Sequence, residues 1–221
     1  MRGISLALAA FAVSIATGVT ANAAPIVFFI DPIYGSAENT GVTAQVTLSF
    51  FEVGVDDWMN VQIANTTSPS IGGRMTAVGF EVPSLVSLPI TFAPGGIGTY
   101  FDELDFHFNV VPAQLNAPGG YDVMITSDNN FEGGSAMGGP GPGQTQTVVL
   151  NLGNTGMTAA QLEAAFLGFY VSRPDPYVIA RFQAVGPGGE LSDKVVGHIP
   201  EPTTLALLVM GLATLRRRRR M

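Results

Sequence analysis

The chain has 221 residues, 47% apolar and only 12% charged, which allows one domain with a substantial core and excludes general disorder. Its net charge of −7 is unevenly spread: six of the ten basic residues are Arg2 and Arg216 to Arg220, and between Ala24 and Ile199 four bases face sixteen acids, a balance of −12. So acidic a body repels phosphate backbones and argues against nucleic acid as a partner; the lack of cysteine excludes disulfides, thiolate metal sites and a cysteine nucleophile.

In chain order, Arg2 opens a short positive region that leads into the apolar stretch Ile4 to Ala16 and closes with Ala21-Asn22-Ala23. Small residues at Ala21 and Ala23 fit the A-x-A pattern of signal cleavage, so residues 1–23 are expected to be a signal peptide. The stretch is short for a membrane span, which needs about 20 apolar residues.

The body follows, residues 24–198. The 27 glycines and 15 prolines mark many turns, and apolar residues alternate at a period of two between them. The expected strands are Ile26 to Ile30, Val42 to Val53, Trp58 to Ala64, Arg74 to Val82, Gly98 to Val111, Tyr121 to Thr126, Thr145 to Leu152, Tyr170 to Arg173 and Tyr177 to Val185. Leu104, Phe106 and Phe108 fall on one strand face, and Asp105 and His107 on the other. One helix is expected from about Ala159 to Phe166, with Thr158 as its cap and Gln161 completing a capping box. These elements predict a mainly β protein, an antiparallel β-sandwich ectodomain with one short helix.

The body offers few candidates for chemistry. Asp102, Glu103, Asp105 and His107 cluster in sequence, and Asp105 with His107 can meet a metal if further ligands come from elsewhere; a solvated strand face is the simpler reading. Asp128-Asn129-Asn130-Phe131-Glu132-Gly133 has the look of half a calcium loop, but Gly139 stands where an EF-hand needs its bidentate Glu. Asp56 and Asp57 beside Trp58 can line a sugar-binding surface, although a lone Trp is more often core. No G-x-S-x-G is present, hence no nucleophile elbow. No cofactor, catalytic residue or resident metal is expected.

The C-terminal end, residues 199–221, has three parts in order. Pro200, Glu201 and Pro202 form an extended tripeptide, because proline disfavours helical geometry in the residue before it. An apolar helix is expected next, carried by Leu205, Leu207, Leu208, Val209, Leu212 and Leu215. The 13 residues from Thr203 to Leu215 would make about 20 Å of helix, short against a bilayer core of about 30 Å. Arg216, Arg217, Arg218, Arg219 and Arg220 then act as a cationic stop that keeps the terminus cytoplasmic.

This order resembles the PEP-CTERM sorting signal of Gram-negative bacteria. The resemblance implies recognition of Pro200, Glu201 and Pro202 by a membrane-embedded exosortase, usually in species that make extracellular polysaccharide. The stretches Ile179 to Gly197 and Val61 to Phe80 are similar to segments of other such proteins, whose bodies imply no particular activity. The expected partners are therefore signal peptidase, an exosortase-type enzyme, the membrane as a transient anchor, and extracellular polysaccharide. The expected location is across the inner membrane, anchored by the C-terminus, then at the cell surface or beyond. A non-enzymatic surface or matrix protein is the leading expectation. A carbohydrate- or calcium-binding adhesive module and a secreted carboxylate-dependent hydrolase are the alternatives.

Overall fold

A computed structural model describes residues 24–127, 131, 136–173 and 175–200. Ten strands are present among them: β1 (Ile26–Ile30), β2 (Ala44–Val53), β3 (Asp56–Asn65), β4 (Gly72–Phe80), β5 (Thr91–Phe92), β6 (Glu103–Phe108), β7 (Tyr121–Thr126), β8 (Thr145–Gly153), β9 (Val178–Val185) and β10 (Leu191–His198). The helix α1 (Ala159–Val171) lies between β8 and β9. All neighbouring strands are antiparallel, in the order β5-β8-β3-β2-β1-β10-β9-β4-β7-β6. The mainly β antiparallel architecture is as expected, but its layers are parts of one continuous, nearly closed sheet.

The β2–β3 hairpin shows how sequence sets register. Val53 pairs with Asp56, so the loop is Gly54-Val55, and Gly54 takes φ +67. Glycine first in a two-residue loop matches the primed turn whose twist suits paired strands. From that turn Val46, Leu48 and Phe50 of β2, and Met59, Val61 and Ile63 of β3, alternate into the core. Val148, Leu150 and Leu152 of β8 join them from one part of the sheet, and Val78, Phe80, Val123, Ile125, Ala180 and Phe182 from another. A single interior thus forms where the sheet folds over on itself.

Strands β4, β7 and β9 are covered on both faces. A second, smaller apolar cluster lies on the far side, with Val110, Leu115, Ala117 and Phe131 packed near Ala77, Tyr121, Met124 and Ile179. Strands buried on both faces read as apolar runs without alternation.

Helix α1 is longer than expected. Thr158 Oγ1 accepts from Gln161 N–H at 3.3 Å and Gln161 Oε1 from Thr158 N–H at 2.9 Å, so the capping box is present. Leu162, Phe166 and Tyr170, spaced by four, bury one helix face. Phe166 packs on Phe50 at 4.7 Å and Tyr170 meets Phe28 edge-on at 4.8 Å. Tyr170 and Val171 therefore end the helix, and the strand expected from Tyr170 to Arg173 does not form. The strand expected from Gly98 to Val111 is confined to Glu103–Phe108, while Phe101 is buried from an irregular segment. Strands β10 and β5 were not anticipated.

Candidate functional site

The two ends of the body leave from one side of the sheet. Strand β1 begins at Ile26 and lies antiparallel to β10, which ends at His198, with Phe29 opposite His198 and Ile30 opposite Gly197. The end of β10 therefore lies beside the last residues of β1 and points toward the side from which β1 enters. The exit is held in place: the His198 ring lies 5.0 Å from Tyr34 and 5.8 Å from Tyr177, and Ile199 packs against the main core. Pro200 follows directly. The tail therefore leaves an interior strand of the sheet at a fixed position.

A cleft of about 500 Å³ opens beyond the end of β4. Its polar wall is Glu81 after β4, Asp122 of β7 and Arg173 just beyond α1; its apolar wall includes Pro83, Val86 and Pro118. The Glu81 side chain is only 5% exposed, and its Oε2 accepts from Arg173 at 2.6 Å. The Arg173 guanidinium also lies over the Phe169 ring, 4.3 Å from its centroid. Asp122 Oδ2 accepts from Val82 N–H at 2.9 Å, and Tyr170 O–H donates to Glu81 O at 2.7 Å. Burial pushes the Glu81 carboxyl above its ordinary 4.5, and Arg173 offsets only part of that effect. Two carboxylates and one guanidinium give the lining a negative balance. Oε2 of Glu81 and Oδ2 of Asp122 are thus both engaged within the wall of the cleft.

The residues singled out from the sequence have different places. Asp105 and His107 are exposed on the outer face of β6, and His107 Nδ1 lies 3.9 Å from Asp122 Oδ1, at the margin of an ion pair. No group of three or more His, Asp or Glu able to hold a metal occurs among the described residues. Asp57 is buried and accepts from Thr155 N–H and Oγ1 at 2.7 Å each, fixing the turn before α1; Asp56 accepts from Asn151 at 3.2 Å. Both carboxylates are thus engaged within the fold. Trp58 is half-buried on the outer side of β3 against Phe51. Residues 128–130 and 132–133 of the calcium-loop candidate lie outside the described residues, as do Ala21, Ala23, Glu201, Pro202, the apolar segment and the arginine run. Among the described residues, no helix is long and apolar enough to cross a membrane.

Sequence reasoning missed Glu81, Asp122 and Arg173. The one available signal was an acid embedded in the apolar run Val78-Gly79-Phe80-Glu81-Val82, since buried carboxylates are rare unless paired.

Fold and termini together define an antiparallel β-body whose C-terminal tail leaves from an interior strand. Residues 198–220 match the PEP-CTERM protein-sorting motif. The chain thus carries a signal that marks an exported protein, anchored through its C-terminus before sorting and processed by exosortase, a membrane enzyme. Comparison with curated proteins and with solved structures gave no match.

Proposed function

We propose that this protein is a non-enzymatic surface or matrix component, sorted by exosortase and associated with extracellular polysaccharide once released from its membrane-bound stage. The observation that carries the reading is the sorting motif at residues 198–220, mounted directly on the end of β10. A structural use of the cleft carboxylates supports a non-catalytic body: Glu81 is tied to Arg173 and Asp122 to the Val82 amide. The exported form is expected to co-sediment with the polysaccharide of its own cells and to release no reducing ends from it. A protein that remains in the supernatant, or one that shortens the polymer, contradicts the proposal.

A second reading is favoured by the cleft itself. Its mixed lining suits a neutral polyhydroxylated ring, with hydroxyls meeting the polar wall of Glu81, Asp122 and Arg173 and C–H faces on Pro83 and Pro118. Under this reading calorimetry with neutral oligosaccharides gives heat that Pro118→Trp, which fills the cleft, abolishes. Equal heat from wild type and variant rules the cleft out as the binding site.

A further inference from the structure

Three exposed apolar side chains gather where the tail departs. Phe29, on the outer face of β1, is 43% exposed. Ile33 and Tyr34, in the short 3-10 turn Pro32–Tyr34 that follows, are 80% and 39% exposed. Single apolar side chains on a surface are ordinary, but these surround a common neighbour, His198. The Tyr34 ring lies 5.0 Å from the His198 ring, and Phe29 stands directly opposite His198 in the β1–β10 pair, where opposed side chains share a face. Burial holds the His198 imidazole below its ordinary 6.5, so it brings no charge to the patch at neutral pH. Asp31, the one charged residue between Ile26 and Gly35, turns its carboxylate to the Ile33 N–H at 3.0 Å.

The length of chain that follows the patch indicates what covers it. His198 is five residues before Thr203, where the apolar segment begins, and five residues reach at most about 18 Å when fully extended. A chain anchored through that segment keeps the patch within this reach of the bilayer. A ring with an apolar body and a polar tip, such as Tyr34, suits the layer between headgroups and acyl chains. We propose that Phe29, Ile33, Tyr34 and His198 form a foot that rests in the interfacial layer of the lipid while the tail is anchored. The proposal rests on reading Thr203 to Leu215 as the membrane anchor. So small a patch does not hold a bilayer alone; it acts because the anchor makes its contact intramolecular. The consequence is that β10 meets the membrane in a set orientation, which presents Pro200, Glu201 and Pro202 at the lipid surface where a membrane-embedded enzyme works.

The chain has no cysteine, so one introduced thiol carries a fluorophore at a single place. The test labels Ile33→Cys in the chain from Ala24 to Met221, reconstituted in phosphatidylcholine vesicles, and compares it with Leu191→Cys. Leu191 is also exposed but begins β10, seven residues and about 23 Å along the strand from His198. The label at position 33 should lose about half of its emission to lipids carrying a nitroxide near the headgroup, since interfacial side chains enter that layer by about 5–10 Å. The label at position 191 should lose almost none, and Tyr34→Ser should weaken the quenching at position 33. Equal quenching at the two positions, or quenching that Tyr34→Ser leaves unchanged, overturns the proposal. A label shielded only in vesicles made from the inner membrane of the producing cells would assign the patch to a protein and overturn it too. Flotation separates the two ideas. A chain that does not float with the vesicles overturns the anchor reading and the proposal with it, whereas one that floats without quenching at position 33 overturns the proposal alone.

Discussion

Asp193 shows how a single buried acid organises a long connection in a chain without disulfides. It is 1% exposed within β10, and its carboxylate accepts from Ser36 Oγ, Glu38 N–H, Thr40 N–H and Oγ1, and Lys194 N–H, all within 3.0 Å. The segment joining β1 to β2 is thereby tied to a strand far away in sequence. Asp193→Ala should cost about 3 kcal/mol or more, because several donors lose a charged acceptor together; chemical denaturation measures this. A loss below about 1 kcal/mol would mean that water replaces the carboxylate. His198 provides a second test at this scale. Burial lowers its imidazole below the ordinary 6.5, so the unfolded chain binds that proton more tightly than the folded protein. The stability due to neutral His198 is full above 6.5 and declines as pH falls from 6.5 towards the lowered folded value. Melting curves recorded from about pH 8 to about pH 5 should show this decline, and His198→Phe should reduce its slope. Parallel curves for the two proteins would contradict the assignment.

Among the elements, β1, β2, β3 and β8 were legible because one face meets the core and the other meets solvent or partial cover. Alternation survives only under those conditions. Strand β10 was not legible: Asp193 and Lys194 interrupt its apolar pattern, and the reason they belong in a strand lies in residues 36–40. The end of α1 was misread as strand because Phe169, Tyr170 and Val171 favour strands locally, while Tyr170 is held by Phe28, Tyr177 and the Glu81 carbonyl. The cleft was hidden for a related reason, since Glu81 and Arg173 are 92 positions apart. Packing between elements is testable at Gly79, where an added methyl would collide with the Phe108 ring and meet Ile179 Cγ2 at 3.2 Å. Gly79→Ala should cost about 1–3 kcal/mol, and pairing it with Phe108→Ala should cost less than the sum of the two single changes. Strict additivity in a double-mutant cycle would show that the β4–β6 contact is not the constraint.

At the scale of the whole molecule the sequence was most informative at the termini, because sorting signals are read as linear patterns rather than as three-dimensional sites. The structure adds a placement. Strands β1 and β10 are antiparallel with Phe29 opposite His198, so Ala24 and Pro200 lie toward the same side of the sheet. The most direct test of this account is the intact mass and location of the native protein beside a variant with Pro200, Glu201 and Pro202 all changed to Ala. The wild type should be exported and lack both residues 1–23 and the apolar, arginine-rich tail, while the variant should keep its tail and remain in the membrane fraction. Identical masses and identical fractionation for the two proteins would contradict sorting through this motif.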